Sequence, residues 1–444
     1  MGNSRPRRLG KYDLLARIAK GGMAEIYLAR QRGMVGFSRL VVVKRILPHL
    51  AEESQFVQMF MEEARLAAQI NHPNVVQIHD VGQFEGSYYI AMEFIDGPSL
   101  GVICRRARRR RGPVPYAVAA SIIAQACDGL HAAHELTDEQ GQPRDLVHRD
   151  VSPHNLMLTG PGLVKLVDFG IAKAQDTAVK THTGKIKGKY PYMSPEQCRG
   201  DPLDRRTDIF SLGIVFHELL VARRLFQRST DLMILKAITE EEVPDPGELA
   251  PDVPGGISRV VLRSMQRFPD QRYATAAQMG QDLREVMREL GQEVSQQVVA
   301  RYLETELPDL LEQRRAAINS VLELKPSREG PPLVEGLDEA RGGSSDLATP
   351  ETLDVLAHAE RRRGGVPRWA LVVAAVVIVA AAGGGLAYRL LGGVSGPPLR
   401  FGLPPSFPAE VGQKEMQPFL RYLERHLDRP VQLVVARDYR SLRR

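Results

Sequence analysis

The chain has 444 residues, enough for two or three domains, and its composition is 43% hydrophobic and 25% charged. These proportions are typical of folded globular proteins and exclude a disordered chain. The net charge of +6 comes from arginines in separate short runs rather than along one face, so we expect no nucleic-acid partner. Three cysteines without metal-ligand spacing favour a reducing compartment.

The first segments predict a β-hairpin and then a buried strand. Residues 12–29 alternate as two strands around the turn KGGM at 20–23, whose backbone amides can approach a phosphate closely because glycine has no Cβ. A hairpin without a ligand explains the same pattern. The apolar run LVVVKRI that follows predicts a buried strand, and Lys44 within it is costly to bury without a partner.

Two polar motifs stand among apolar runs in the middle of the chain, H-R-D at 148–150 with Asn155, and D-F-G at 168–170. The segment LMLTGPGLVKLV between them predicts a hairpin that returns both motifs to one edge of a site. Phosphoryl transfer needs a carboxylate near the attacking hydroxyl and oxygen ligands for magnesium beside the phosphates. Asp150 suits the first role, and Asn155 and Asp168 suit the second.

The order and spacing of these motifs resemble the catalytic and metal-binding loops of bacterial, eukaryotic-like (Hanks-type) serine/threonine protein kinases. The resemblance covers about residues 12–288 and implies an α+β, two-lobed kinase fold with a β-rich N-lobe and a helical C-lobe. It implies ATP and Mg2+ as cofactors and proteins as substrates. Lys44 is implied to contact the nucleotide phosphates and to pair with Glu63. Glu62 is the alternative, and about 100° of helix rotation lets only one of the two face the site.

The resemblance also implies a set of nucleotide-binding residues. Met92 corresponds to the gatekeeper of the adenine site, and the backbone from Glu93 to Ile95 is implied to bind the adenine edge. The other positions implied to surround the nucleotide are Ile18, Gly21, Gly22, Ile26, Val42 and Met157, with Lys44, Asn155 and Asp168 at the phosphates. For each apolar member, ordinary core packing is the alternative explanation.

The sequence departs from the family pattern in both phosphate-binding loops. Ser152 stands where these kinases have a lysine that holds the transferring phosphate, and Lys189 stands where they have a threonine that touches that lysine. We expect Lys189 to restore the positive charge near Asp150; the alternative is that Lys189 points to solvent and the enzyme is slower. Ala19 and Ala24 replace two glycines of the glycine-rich loop. These losses favour the rival function, a pseudokinase or scaffold coupled to a solute-sensing domain.

Residues 170–196 resemble the activation segment of the family, which ends here in S-P-E where the family has A-P-E. Arg149 would bind a phosphothreonine of this segment through charge-assisted hydrogen bonds. Unmodified loop threonines are the alternative. The implied autophosphorylation sites are Thr177, Thr181 and Thr183.

Three further features lie in the region of the C-lobe. Asp208 is implied to brace the backbone of the catalytic loop, and Arg272 is implied to pair with Glu196. The basic run at 105–111 predicts a solvated helix end, with binding of acidic substrate segments or of an anionic membrane surface as the alternative.

The segments outside the kinase region predict a membrane-anchored organisation. Residues 1–11 form a tail, 289–325 are helix-like and expected to pack on the C-lobe or to bridge to a partner in a homodimer, and 326–366 predict a flexible linker. The uncharged stretch 369–388 predicts one transmembrane helix over 367–391. Arginines are more numerous on its N-terminal side, which predicts a cytoplasmic kinase region at the cell inner membrane and an extracytoplasmic C-terminus.

Residues 392–444 predict a strand, a helix and a second strand. They are similar to the start of periplasmic phosphate- or phosphonate-type solute-binding domains, which implies a small anionic solute as a ligand outside the cell membrane. So short a piece buries too little surface to be stable alone, and we expect more of such a domain to follow.

Overall fold

The structure is a computed structural model, which describes residues 8–33, 38–110, 112–169 and 190–323 in full and the backbone of 399–403 and 431–435. The chain divides into two units, Met1–Thr349 and Pro350–Arg444. No helix within the described ranges is long and apolar enough to cross a bilayer. The predicted linker and the predicted span at 367–391 lie outside these ranges.

The N-lobe is a six-stranded antiparallel sheet with one helix, α1 (Ser54–Ala68), packed on it. The helix ends just before the segment N-H-P-N at 71–74, where the coming proline disfavours helical backbone. The strands are β1 (Arg8–Leu9), β2 (Tyr12–Lys20), β3 (Ala24–Arg32), β4 (Ser38–Ile46), β5 (Ile78–Phe84) and β6 (Ser87–Glu93). Their order in the sheet is β1-β2-β3-β4-β6-β5. Ile26 of β3 lies opposite Lys44 of β4, so both side chains project from the same face of the sheet.

The C-lobe is helical and is organised around two central helices, α3 (Tyr116–His134) and α5 (Arg206–Val221). Both are buried around most of their circumference, as expected for helices that are apolar on every side. The smaller elements are α2 (Leu100–Arg110), the hairpin β7 (Leu156–Leu158) and β8 (Val164–Leu166), α4 (Pro195–Arg199), α6 (Asp231–Glu240), α7 (Pro246–Leu249), α8 (Gly255–Ser264), α9 (Ala276–Glu289) and 3-10 turns at Tyr190–Tyr192 and Pro269–Gln271. The two-lobed α+β fold and the predicted β7–β8 hairpin are therefore confirmed.

The predicted helical extension forms two helices that pack on this chain's own lobes. The first, α10 (Gln296–Glu306), lies against α3 with Val299 and Leu303 fully buried in the C-lobe core. The β7–β8 turn fits against it at Gly162, which has φ +86° and where a Cβ would lie 2.1 Å from the Gln296 carbonyl oxygen. Only glycine suits both this backbone conformation and this close approach.

The second helix of the extension, α11 (Pro308–Glu323), reaches the N-lobe. Its residues Ile318 and Val321 are buried against Ala16 of β2 and Leu28 of β3. The expected packing on the C-lobe is therefore present, and the extension also contacts the N-lobe. The other expectation, a bridge to a second copy of the chain, stays a prediction.

In the second unit, the two predicted strands are present as β9 (Leu399–Leu403) and β10 (Val431–Val435). They pair in parallel, with Leu399 opposite Val431. A parallel pair needs a crossover connection, which fits a strand–helix–strand order. The helix predicted between the strands lies outside the described residues.

Candidate active site

Lys44 is the centre of an ion-pair network in the cleft between the lobes. Its ammonium donates hydrogen bonds to Glu63 Oε1 and to Asp168 Oδ1, each at 3.0 Å. Glu63 faces inward from α1, whereas Glu62 is exposed. Burial alone would lower the pKa of Lys44, but attraction to Asp168 and Glu63 outweighs it and raises the pKa above its usual range. A permanent cation therefore stands where nucleotide phosphates would need one.

The catalytic-loop carboxylate Asp150 is held by Asn155. The Asn155 side-chain amide donates to the Asp150 backbone oxygen at 2.9 Å and to Asp150 Oδ2 at 3.0 Å. Both residues are buried in the protein. The two hydrogen bonds fix the rotamer of Asn155 and orient the Asp150 carboxylate, the group that a substrate hydroxyl would meet.

Asp208 braces the catalytic loop from below, as predicted. Its carboxylate accepts hydrogen bonds from the backbone amides of His148 at 2.7 Å and Arg149 at 2.8 Å, and it lies 2.8 Å from His134 Nε2. Arg149 has φ +63°, a left-handed conformation that costs energy for a residue other than glycine. The buried Asp208 stabilises this conformation because it accepts hydrogen bonds from the backbone amides of His148 and Arg149.

The metal-binding motif is packed in the same way. Asp168 has φ +54°, and the following Phe169 is buried with its ring centroid 4.5 Å from that of His148. The motif residue that ends the triplet, Gly170, lies outside the described residues. With Phe169 fixed under the loop, the Asp168 carboxylate is turned toward Lys44 and the cleft.

Most of the predicted nucleotide-binding residues line one cleft, whose empty space, open solvent included, is about 820 Å³. The two glycines of the β2–β3 turn, Gly21 and Gly22, are not part of its lining. Neither has a positive φ, so glycine at these positions would matter for close approach of a ligand rather than for the turn itself. The predicted residues in the lining are Ile18, Ile26, Val42, Lys44, Met92, Glu93, Ile95, Asn155, Met157 and Asp168.

The hinge, residues 93–97, joins the two lobes along this cleft. Contacts with other parts of the protein fix its position. The Glu93 carboxylate accepts a hydrogen bond from Lys165 Nζ at 2.6 Å and another from the backbone amide of Gln77 at 2.7 Å. At Gly97, a Cβ would lie 1.9 Å from the Leu158 carbonyl oxygen. Since these hydrogen bonds occupy the Glu93 side chain, the backbone groups of the hinge are the ones suited to form hydrogen bonds with a ligand.

Five residues of the lining were not among the positions predicted to surround the nucleotide, namely Ala19, Val76, His154, Val167 and Arg314. Phe94 falls within the predicted backbone range from Glu93 to Ile95 and also lines the cleft. Arg314 belongs to α11, more than two hundred residues further along the chain, and no motif signals it.

The residues available to magnesium fit that ion. Among the described residues there is no cluster of three or more His, Cys, Asp or Glu that would form a metal cage. Mg2+ in phosphoryl-transfer sites typically takes one or two protein oxygens and completes its shell with phosphates and water. Asp168 supplies a carboxylate and Asn155 supplies an amide oxygen, because its amide nitrogen is engaged by Asp150.

The end of the activation segment is anchored by a capping box that the S-P-E-Q sequence forms. Ser194 Oγ accepts a hydrogen bond from the backbone amide of Gln197, and Gln197 Oε1 accepts one from the backbone amide of Ser194. The Gln197 side chain also donates to the Arg149 backbone oxygen at 3.0 Å. Serine in place of the family's alanine therefore caps α4 and connects this helix to the catalytic loop.

The predicted pair of Glu196 and Arg272 is confirmed. Arg272 donates to both carboxylate oxygens of Glu196, at 2.6 and 2.8 Å, and Thr207 donates to Glu196 at 2.8 Å. Arg272 and the Thr207 hydroxyl thus hold the buried Glu196 from two sides, and their hydrogen bonds offset burial to keep the pKa of Glu196 below its usual range.

Four predicted functional residues lie outside the described residues. Lys189 is one, so its predicted position near Ser152 stays a prediction, although Ser152 itself is buried in the catalytic loop. The others are the predicted autophosphorylation sites Thr177, Thr181 and Thr183.

Known proteins match the part of the chain that carries this site. Residues 12–282 match the protein kinase domain family. The chain is 50% identical over 267 residues to the tyrosine-protein kinase MasK of Myxococcus xanthus, covering 60% of this chain and 41% of that protein. It is 34% identical over 275 residues to the serine/threonine-protein kinase PrkC of Bacillus subtilis, covering 62% of this chain and 40% of that protein.

Further matches cover the same part of the chain. The serine/threonine-protein kinase PknB of Mycobacterium leprae is 35% identical over 283 residues, covering 63% of this chain and 43% of that protein. Among solved structures, the Mycobacterium tuberculosis PknI kinase domain has a TM-score of 0.48 at 24% identity, covering 64% of this chain and 99% of that chain. The chain spans about two fifths of the length of the curated relatives it matches. Since the domain match extends over more than half of its residues, the chain belongs to the protein kinase family.

Proposed function

We propose that this protein is a membrane-anchored, ATP-dependent protein kinase that transfers the γ-phosphate of ATP to serine or threonine residues of proteins. The observation that carries the proposal is the intact network in the cleft. Lys44 binds both Glu63 and Asp168 at 3.0 Å, while Asn155 holds Asp150 in the catalytic loop. In protein kinases, the lysine–glutamate pair and the metal-binding aspartate must both be in place for phosphoryl transfer.

Each side chain has a separate task in this reaction. Asp150 orients the acceptor hydroxyl and takes its proton, as the hydroxyl oxygen forms a bond to the γ-phosphorus and the bond to the bridging oxygen of ADP breaks. Lys44 binds the phosphates and Glu63 holds Lys44 in position. Asn155 and Asp168 would hold magnesium, which would supply charge neutralisation at the transferring group.

The acceptor is proposed to be serine or threonine because most of the named relatives, PrkC and PknB among them, are serine/threonine kinases. A tyrosine acceptor is the second candidate, and two observations favour it. MasK, at 50% identity, is named a tyrosine kinase, and the catalytic-loop position that usually carries lysine in serine/threonine kinases is Ser152 here.

We also propose that phosphorylation of Thr177, Thr181 or Thr183 orders the activation segment by pairing with Arg149. The support is the fixed backbone of Arg149, whose amide is bound by Asp208 and whose carbonyl is bound by Gln197. A phosphate that meets an arginine side chain on this backbone would form short, charge-assisted hydrogen bonds. Residues 367–391 are proposed to anchor the kinase in the inner membrane, because the stretch 369–388 within them carries no charge.

The test is incubation of the full chain with MgATP, followed by mass-spectrometric mapping of phosphorylated residues, for the wild type and for Asp150→Asn. The matched control is Asp145→Asn, an exposed aspartate of the same loop region. We expect phosphoserine or phosphothreonine in the wild type and the control, and none in Asp150→Asn. Phosphotyrosine alone would select the tyrosine alternative. No Asp150-dependent phosphate on any residue would defeat the kinase proposal in favour of a pseudokinase.

A further inference from the structure

The extension reaches the nucleotide cleft through Arg314 of α11. The Arg314 guanidinium donates to the carbonyl oxygen of Asp96 at 2.7 Å and to that of Ile95 at 3.2 Å. Arg314 is 6% exposed and forms part of the cleft lining. A charged side chain this deeply buried requires hydrogen bonds, and the hinge carbonyls supply them.

Anchors on the C-lobe side fix the position of α11 before it reaches the hinge. Arg106 of α2 donates to both carboxylate oxygens of Asp309 at 2.6 Å, and Arg110 donates to the Glu306 carbonyl oxygen at 3.4 Å. The basic run that was expected to be a solvated helix end is therefore partly engaged by the extension. The buried residues Val299 and Leu303 attach α10 to the C-lobe core.

On the N-lobe side, α11 packs behind the wall of the cleft. Ile318 and Val321 belong to a hydrophobic cluster whose partly buried members include Ile18 and Phe94. Ile18 and Phe94 also line the nucleotide cleft. The apolar face of α11 therefore packs against side chains that themselves line the cleft, and a shift of α11 would move them.

We propose that α11 is a built-in part of the nucleotide site and that Arg314 is a positioning residue for ATP. By binding the Ile95 and Asp96 carbonyls, Arg314 fixes the stretch of hinge backbone whose remaining groups read the adenine edge. By its contacts with both lobes, α11 limits the separation of the lobes at the hinge. This inference rests on the proposed function and names a further determinant of nucleotide affinity at the same site.

The geometry distinguishes this role from ordinary packing of a surface helix. Packing needs only the apolar face of α11, which Ile318 and Val321 supply. Arg314 adds two hydrogen bonds to backbone carbonyls at the hinge, where the chain passes from the N-lobe to the C-lobe. Its effect is therefore expected on nucleotide affinity, whereas a purely structural residue would affect stability.

The experiment measures the Kd of MgADP by calorimetry, and the KM for ATP and kcat, on the full chain. The variants are Arg314→Ala, Arg314→Lys and Ile318→Ala. The matched control is Arg315→Ala, which removes an exposed arginine from the adjacent position of the same helix. Thermal unfolding of each variant reports whether it is folded.

For Arg314→Ala we expect Kd and KM to rise about tenfold or more, the factor that corresponds to one hydrogen bond to a charged group, with kcat much less affected. The Kd of Arg314→Lys should lie between those of the wild type and Arg314→Ala, because an ammonium lacks the planar fork of the guanidinium. Ile318→Ala should also raise Kd, by a smaller factor than Arg314→Ala.

Equal Kd values for Arg314→Ala and Arg315→Ala would overturn the inference, as would a loss confined to kcat. If Arg314→Ala does not fold, Arg314→Lys and Ile318→Ala decide the question by the same comparison. A wild type that binds MgADP but transfers no phosphate would defeat the proposed function, and the comparison of Kd values would still decide the role of Arg314.

Discussion

The cleft network around Lys44 and the C-lobe anchor, formed by Glu196 and Arg272, are both built on ion pairs inside the protein, but they differ in exposure. In the anchor the two side chains are 5% and 0% exposed. In the cleft the side chains of Lys44, Glu63 and Asp168 are 16%, 12% and 34% exposed. The anchor is closed to solvent, and the cleft network is open on the side of Asp168.

The two regions also differ in how completely the protein satisfies their charges. Arg272 donates to both oxygens of Glu196 and, in addition, to the backbone carbonyls of Gln266, Arg206 and Arg267. Lys44 has carboxylate partners on both sides, and one of them is a third exposed. The two regions show two uses of ion pairs. A buried pair whose hydrogen-bonding groups all have protein partners stabilises the fold, whereas a partly exposed pair at a cleft can also bind a ligand.

The largest expected effect is a loss of stability on breaking the anchor. Arg272→Met should lower the free energy of unfolding by about 3–5 kcal/mol, because it leaves Glu196 buried and unpaired. Denaturant unfolding measures this loss. The control is Arg288→Met, which breaks a pair with Glu285 on the surface of α9 and should leave stability unchanged. A loss under about 1 kcal/mol for Arg272→Met would remove the distinction between the two regions.

The same pair predicts a pH dependence. In the wild type the pKa of Glu196 is lowered, so its contribution to stability is present above the unfolded-state pKa, about 4.3, and is lost as the pH falls through the lower folded-state value. In Arg272→Met, protonation relieves the buried unpaired charge. The stability gap between the two proteins should therefore narrow as unfolding is measured at successively lower pH, and a constant gap would contradict the assignment.

A smaller effect, on activity alone, is expected on the cleft side at Lys189. If Lys189 supplies the positive charge that Ser152 lacks, Lys189→Ala should lower kcat on the order of 10²–10³-fold, the range for removing a group that stabilises transition-state charge. Steady-state phosphotransfer measures the change, and unfolding should be unaffected. The matched control is Lys187→Ala, two residues away in the same segment. Unchanged activity in Lys189→Ala would mean that this side chain points to solvent.

The smallest effect is expected where the two regions meet, at the helix cap of α4. Ser194→Ala restores the residue typical of the family motif but removes the acceptor for the Gln197 amide. Loss of such a cap costs about 1 kcal/mol of stability, which thermal or denaturant unfolding can detect. The control is Ser320→Ala on the exposed face of α11, where the hydroxyl bonds only within its own helix turn. An equal, negligible change in both variants would show that the cap contributes nothing.

Much of the site was predictable because its signals are local. The apolar run around Lys44, the motif residues Asp150 and Asn155, and the glycine turn of the β7–β8 hairpin lie within short stretches of chain. The capping box at Ser194 was also readable, since a serine followed three residues later by glutamine is a known helix-start signature. The period of an α-helix shows that only one of Glu62 and Glu63 can face the site, and the resemblance to the kinase pattern selected Glu63.

The contacts of the extension could not be predicted in this way. Arg314 is one of two adjacent arginines in α11, and its spacing from Ile318 and Val321 places it on the buried face of the helix. The sequence does not tell which part of the protein that face meets. The partners of Arg314 are the backbone carbonyls of Ile95 and Asp96, which carry no side-chain signal in the sequence. The position of Asp309 on Arg106 is equally a product of tertiary packing. Such contacts depend on how α10 and α11 cross the lobes, and helical periodicity does not determine that crossing.

The packing of α10 also sets where the chain can be cut. A fragment ending at residue 282, where the match to the kinase family ends, would remove Val299 and Leu303 from the C-lobe core. The apolar surface of α3 beneath them would then face water, and the β7–β8 turn at Gly162 would lose the helix against which it fits. A piece of this chain intended for purification and crystallisation should therefore retain α10, and an end at residue 323 keeps α11 as well.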